Sequence, residues 1–441
     1  MLYLFNYHHV TSLVRLIFSL LAVVGTCLLT ACDRRAQVDE GAAVTVLRVW
    51  AHAGQVTERD TLRAQVGRFN AAYRDIRLEL SFLPERTYNA QVQAAALAGD
   101  LPDILELDGP YLYNYIWQGQ VQALDGLVAA EQRKELLPSI LDQGSYGGKL
   151  FGIGSFDSGL GLYARRSALR RVGARIPRHP DEAWTLAEFE ALLAALAAKD
   201  ADGAVLDLKL NYPDEWFSYA FGPVLRSAGG DLIDRSSYRS AAGVLNGVAA
   251  VRAMGHIQHW LKAGWVDPNV DDNAFVGGRV ALSWAGHWEY RRYQATVGDD
   301  LVLLPLPDFG QGSRTAQGSW LWTLSRRCRR PQQAIRFIHF LLQTREVLAM
   351  TAANGAVPAT HSAIAQSVWY RQGGPLHLFV EQLNEGFAVP RPKTPAYPVI
   401  SSAFRQAFAA VRDGAPVQAA LDRAVAVIDQ DLRDNQAYQT R

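Results

Sequence analysis

An α/β fold of two lobes, each a mostly parallel sheet flanked by helices, is predicted for this chain by three observations. Its 441 residues exceed what one compact domain usually holds. Short apolar strands alternate with longer helical patterns from residue 45 onward. A glycine-rich crossing, "GGKLFGIGSFDSGLGLYARRSALRRVG" at 147–173, then divides a first unit from a second.

The first unit opens with "TVLRVWAH" (45–52), a buried strand. A helix follows over 58–74, with Leu62, Val66 and Phe69 on one face. "IRLELSFL" (76–83) is a second strand, 88–97 a second helix, and "DILELD" (103–108) a third strand. This βαβαβ order implies parallel pairing through right-handed crossovers, with ligands gathered at the carboxyl ends of the strands. His52, Tyr88 and Asp108 fall at or just after those ends. Each alone reads equally as a cap or a core residue, and the shared edge is what marks them as binding candidates. In the second unit "WTLAEFEALLAALAAK" (184–199) is an amphipathic helix, with Thr185 as N-cap and Glu188 three residues on. "DADGAV" (200–205) has some calcium-loop character but lacks the remaining ligand positions and the distal Glu, so it is read as a turn.

The N-terminus has a different character. "MLYLFNYHHVTSLVR" leads into the apolar run 16–31 and then into Cys32 and the polar "DRRAQVDE". A run of this length after a basic residue reads as an export signal, since a membrane span needs about 20 residues. Residues 1–31 are therefore expected to be a signal peptide and 32–43 a tether. Leu29-Thr30-Ala31-Cys32 resembles the bacterial lipobox, which implies lipidation at Cys32 and a firm anchor on the outer face of the cell membrane. An ordinary signal peptide cut nearby is the alternative. Asp33 resembles the signal that retains some Gram-negative lipoproteins at the inner membrane. Of three cysteines, Cys27 lies in the signal and Cys32 carries the lipid, which leaves Cys328 as an unpaired structural thiol.

Charge excludes several classes. The formal net charge is +1 and 20% of residues are charged, which offers no electrostatic reason to expect nucleic acid. "SRRCRRP" (325–331) reads as a solvated face. His256 and His259 in "HIQH" have no evident third ligand, so no metal and no cofactor is expected. No P-loop spacing is present, so any ATPase must be a separate chain.

The ordered stretches "PDILELDGPYL", "GKLFGIGSFDSGLGLYAR", "WTLAEFEALLAAL", "GRVALSWAGHWEY", "VLLPLPDFGQG" and "RPQQAIRFIHFLL" resemble the family-one extracellular solute-binding proteins. These are the maltose-binding-protein-like components of bacterial ABC importers for sugars. The likeness runs from about Val44 to the C-terminal helices. It implies a type II periplasmic-binding-protein clamshell, with lobe one at 44–154 plus 304–357, lobe two at 155–303 plus 358–441, and the ligand between them. It also implies a monomer that hands its ligand to membrane permease subunits. Two departures stand out: Gly154 where the family often has proline, and bulky Trp320 and Trp322 where small residues are common.

The resemblance puts "ALSWAGHWEY" at the end of a lobe-two strand, at the mouth of the cleft. Aromatic plates suit the C–H face of a sugar and polar groups suit its hydroxyl rim. Trp288 is the leading stacking candidate and Trp284 the second, with Gly286 allowing close backbone approach. Both tryptophans in the core is the competing reading. Tyr111, Phe156, Trp216 and Trp320 are further aromatic candidates. Asp108, Asp157 and His52 are candidates for the rim, and Arg391 is the weakest, because a loop arginine is usually solvated. A di- or oligosaccharide is the expected ligand. A phosphodiester or polyamine in the same fold, a glycosidase using paired carboxylates such as Asp108 and Asp157, and a sensor subunit are the alternatives.

Overall fold

The computed structural model describes residues 44–439 except 213, 269 and 270. The predicted signal peptide, the tether and Cys32 lie outside the described residues. No helix among the described residues is long and apolar enough to cross a membrane.

The chain begins with β1 (Thr45–His52), α1 (Val56–Ala72), β2 (Ile76–Leu83), α2 (Tyr88–Ala98) and β3 (Ile104–Asp108). Leu47, Val49 and Ala51 alternate inward along β1, and Leu62, Val66 and Phe69 form the buried stripe of α1. β1 pairs in parallel with β2, from Thr45 against Ile76 to His52 against Leu83, and on its other edge with β3. Gly99 ends α2 in the left-handed conformation (φ 67°), a turn that a Cβ would strain. Short strands β4 (Gly152–Ile153) and β5 (Phe156–Asp157) lead across to β6 (Leu160–Arg165).

The second unit contains α3 (Leu186–Ala197), β7 (Leu206–Asp207), α4 (Trp216–Ala228), α5 (Val248–Lys262), β8 (Leu282–Gly286), α6 (Tyr290–Val297) and β9 (Leu301–Leu304). α3 starts in a capping box: Glu188 N–H donates to Thr185 Oγ1 at 3.3 Å, and Thr185 N–H donates to Glu188 Oε2 at 2.8 Å. The Asp-rich segment is a turn, where Asp202 N–H and Gly203 N–H donate to Asp200 Oδ1. The chain continues through β10 (Thr315–Gln317), β11 (Trp320–Leu324), α7 (Pro331–Leu341), α8 (Thr344–Asn354), β12 (Val357–Pro358) and β13 (Ala388–Pro390). It closes with α9 (Tyr397–Arg412) and α10 (Val417–Asp434).

The first lobe's sheet has the order β2-β1-β3-β11-β4, parallel at β2-β1-β3 and antiparallel where β11 joins. The second sheet, β9-β6-β8-β7, departs from a mostly parallel arrangement, because β6 runs antiparallel to both β8 and β9. The reason is connectivity. β8, α6 and β9 form a crossover that keeps one direction, and the reversed β6 inserts between its two strands. Two small pairs link the chain across the middle: β5 with β12, and β10 with β13.

A large core lies behind the second sheet among α3, α4, α5, α9 and α10, and Leu306, Phe309 and Ala316 belong to it. Trp284, at 1% exposure, is inside this core with its ring 6.2 Å from that of Phe221. It is therefore a core residue and not a second plate at the cleft, because along β8 it points to the helical side. Cys328 is buried, and burial pushes its thiol up to about 11, as befits an inert structural residue. Trp284→Ala should cost about 3–5 kcal/mol of stability by the cavity it leaves. Urea denaturation should show a lowered midpoint at unchanged slope.

Candidate functional site

The carboxyl ends of β1, β3 and β8 converge between the lobes. Gln55 Nε2, just past β1, donates to the backbone carbonyl of Trp288 at 3.1 Å. Thr57 donates to the carbonyl of Ala353, and Asn354 Nδ2 donates to Glu58 Oε1 at 3.0 Å.

On the first lobe His52 is buried and stacked on Trp320, with ring centroids 3.8 Å apart and planes 3° from parallel. Its Nδ1 is 2.7 Å from Glu106 Oε2, and its Nε2 lies 3.8 Å from Glu58. Burial opposes the imidazolium, but Glu106 and Glu58 outweigh it and raise the pKa to about 9. Trp320 covers this ion pair, whereas Trp322 is buried with its ring 5.7 Å from that of Phe337. Only the first of the two unusual tryptophans thus shapes the cleft. Tyr88 sits beneath, fully buried, with its hydroxyl donating to the Glu106 carbonyl and its ring edge-on to Trp320. It supports the wall and does not line it.

Asp108 ends β3 and receives two hydrogen bonds from Arg391, at 2.7 and 3.1 Å. Arg391 Nη1 also donates to Glu215 Oε1 at 2.8 Å, and the guanidinium lies over the Tyr219 ring at 5.1 Å. Ser401 and Tyr397 donate to Glu215 as well, and Tyr111 donates to it at 3.5 Å. Burial nevertheless raises the pKa of Glu215, with Arg391 opposing that shift. Arg391 is thus the opposite of a solvated loop residue: it follows β13 into the gap between β3 and α4. A Cβ on Gly318 would fall 2.4 Å from its guanidinium, so glycine is required there.

On the second lobe four aromatic rings form one wall. Trp288 lies 6.1 Å from Trp216, 6.2 Å from Tyr219 and 6.4 Å from Tyr212. Trp216 is anchored by its indole N–H to the Leu208 carbonyl and is almost wholly buried, while Trp288 remains half-buried. Gly286 allows this arrangement, since an added Cβ would fall 2.0 Å from the Trp288 ring. Beside Trp288 opens a recess of about 460 Å³, lined also by Gln55, Thr57, Asp272, Glu289 and Arg292.

Two candidates are displaced from this surface. Phe156 is buried in a hydrophobic cluster that also holds Ile140, Ile153 and Val357. Asp157 is fully buried at the crossing, held by Gln143 Nε2 and the Ser158 N–H, and burial raises its carboxyl to about 6. It cannot pair with Asp108 across one glycosidic bond while shielded in this way. The "HIQH" histidines are occupied separately: His256 bonds Glu190 at 2.8 Å and His259 packs on Trp265. Among the described residues no cluster of three or more His, Cys, Asp or Glu could hold a metal.

Sequence reading missed Glu106, Glu215, Glu289, Tyr212, Tyr219 and His287. His287 is buried and neutral, with burial lowering its pKa to about 4; it bonds Ser158 Oγ at 3.0 Å, which in turn bonds Tyr219 at 2.6 Å. Its place beside Trp288 in "AGHWEY" was the available signal.

Proteins of the same fold and of related sequence are known. The cyclic α-maltosyl-1,6-maltose binding protein of Arthrobacter globiformis superposes with a TM-score of 0.73 at 22% identity, over 89% of this chain and 100% of that one. An ABC substrate-binding protein of Listeria monocytogenes, solved with cycloalternan, gives 0.75 at 17% identity, over 88% and 99%. The sugar-binding protein MalE of Xanthomonas citri gives 0.72 at 20% identity, over 89% and 98%. All three share the two-lobe type II fold. In sequence, a lipoprotein from the oleD 5′ region of Streptomyces antibioticus is 24% identical over 351 residues, 76% of this chain and 75% of that protein. The profile of bacterial extracellular solute-binding proteins matches residues 64–374, well over half the chain, and this chain belongs to that family.

Proposed function

We propose that the chain is the substrate-binding component of an ABC importer that captures a sugar, of two or more rings, between its lobes. The observation that carries this is the half-buried ring of Trp288, backed by three further aromatic rings and lining a recess whose rim is polar. A flat C–H face can stack on the half-buried indole while hydroxyls reach Gln55, Thr57, Asp272 and Arg292. Of the solved proteins named above, one is described as a cyclic α-maltosyl-1,6-maltose binding protein, one was solved with cycloalternan, and one is described as a sugar-binding protein. The pairing of Arg391 with Asp108 and Glu215 speaks against an anionic ligand there, because a phosphate would have to displace two carboxylates from it. No catalytic step is assigned, and Asp108 serves as a rim and latch residue.

The lobes divide, in this reading, with the second crossing at Gln317 to Trp320, later than the 303/304 boundary expected from sequence. Support comes from the packing of 306–316 into the second lobe's core and from the β10–β13 pair. The ligand binds one lobe, the crossings at 153–158, 317–320 and 356–359 bend, and the closed form docks on permease subunits driven by a separate ATPase. The protein acts as a monomer held on the outer face of the cell membrane by a lipid on Cys32. Radiolabelled palmitate should enter the wild-type chain in cells and not Cys32→Ala, which should be released in soluble form.

Calorimetry of the chain from Asp33 onward against mono- to tetrasaccharides, phosphodiesters and polyamines tests the ligand class. Saturable binding of an oligosaccharide is expected, weakened at least about 30-fold by Trp288→Ala, the loss of roughly 2 kcal/mol of stacking and burial. Binding of a charged solute alone would overturn the sugar reading.

The His52 ion pair makes a separate prediction. Its folded pKa, about 9, lies above the ordinary 6.5, so its contribution is fully present below pH 6.5 and is lost as pH rises through 9. The wild-type unfolding free energy should therefore fall by up to roughly 3 kcal/mol between those values. His52→Gln should be flat over the same window in urea denaturation.

A further inference from the structure

Behind Trp288 lies an ionic cluster centred on Lys209, a residue that the reading above does not use. Lys209 is completely buried and holds a left-handed backbone (φ 54°). Its ammonium is 3.2 Å from Asp207, 3.3 Å from Asp272 and 3.7 Å from Glu289. Glu289, 5% exposed, also receives Arg292 Nε at 2.9 Å. Its other oxygen accepts the Tyr212 hydroxyl at 2.6 Å. The same Tyr212 oxygen accepts the indole N–H of Trp288 at 3.2 Å. The chain from ammonium to indole is continuous, and each donor in it has a definite acceptor.

We infer that Lys209, Glu289 and Tyr212 are positioning residues that lock the Trp288 ring before any ligand arrives, so that the wall offers the ligand a face and no hydrogen-bond donor. The inference rests on the sugar-binding reading and deepens it by specifying what that wall recognises. The donor direction is fixed by chemistry. A carboxylate can only accept, so the tyrosine proton goes to Glu289 and the tyrosine lone pair is left for the indole. The Trp288 N–H is thereby consumed inside the protein. What remains for a ligand is the apolar face of the ring, which selects a sugar ring by its C–H surface. Lys209 cannot salt-bridge an anionic ligand, since it is sealed from solvent and surrounded by three carboxylates. Its effect on binding must pass through Trp288. Locking the ring in advance removes part of the ordering cost that a mobile plate would charge against affinity.

The protein has 11 tryptophans, so the test labels the chain with 5-fluorotryptophan and assigns the Trp288 resonance by its loss in Trp288→Phe. Tyr212→Phe keeps the ring and removes the hydroxyl; Glu289→Gln keeps the shape and removes the charge. In the ligand-free protein, Tyr212→Phe should shift and broaden the Trp288 fluorine signal and leave the Trp284 signal, deep in the core, in place. With maltotriose, Tyr212→Phe should raise Kd about tenfold in the wild-type background and less than twofold in Trp288→Phe. Glu289→Gln should fall between wild type and Tyr212→Phe in both readouts. An unchanged fluorine signal in Tyr212→Phe, or equal losses of affinity in both backgrounds, would overturn the inference. If wild type binds no oligosaccharide, the sugar reading fails, and the ligand-free spectra still decide whether the ring is locked.

Discussion

The buried guanidinium of Arg391 ties together parts of the chain that have no other reason to meet. It joins the end of β3, the start of α4 and the segment after β13, across sequence separations of up to 283 residues. Burying three charges is expensive, and such a triad adds little net stability over an apolar substitute. Removing one partner is different, because it leaves the others largely buried and without their counter-charge. The triad therefore acts as a geometric constraint: Asp108, Glu215, Tyr111 and Tyr397 can be satisfied only when the crossing at Gly318 passes close beneath Arg391. Gly318, with room for no Cβ, and the pairing of Thr315 with Ala388 follow from the same requirement.

A second constraint sets the opposite wall. Trp288 folds back over Gly286, its indole is bonded to Tyr212, and its backbone carbonyl receives Gln55 from the other lobe. One residue thus meets the second sheet's end, the ionic cluster behind it and the first lobe. The first lobe answers with His52 held flat under Trp320 by two carboxylates. Both walls consist of an aromatic surface backed by buried, paired charge, which is how a flat plate stays upright beside a polar opening.

The first lobe was largely legible in the sequence, and the reason is periodicity. Alternating Leu47, Val49 and Ala51, then the α1 stripe, then "DILELD" carry their own directions, and a βαβ crossover leaves little choice of pairing. The second sheet was less legible. Leu160 to Arg165 is buried on both faces, so its pattern does not reveal whether it runs with or against β8. Trp284 and Trp288 illustrate the limit at the site: both are tryptophans in one short segment, and only the strand register decides that one turns into the core. Buried carboxylates such as Glu106, Glu215 and Glu289 were illegible for another reason. A carboxylate's burial depends on a cation or hydroxyl supplied from far along the chain, and no local pattern announces that partner.

The contacts that cross the cleft include the hydrogen bond from Gln55 to Trp288 and the buried pairing of Asp108 with Arg391. The first is worth about 1 kcal/mol net, since water can replace it on opening, whereas the second leaves buried charge unpaired when it is broken. Opening must therefore part the Asp108–Arg391 pair as well as the weaker polar contacts, and that pair sets the balance between the open and closed forms. A ligand shifts that balance only by what it gains from both walls at once. A plate fixed in advance on one side and a stacked, charged pair on the other meet that condition best, because each offers its full contact only to a ligand that the second wall can also reach.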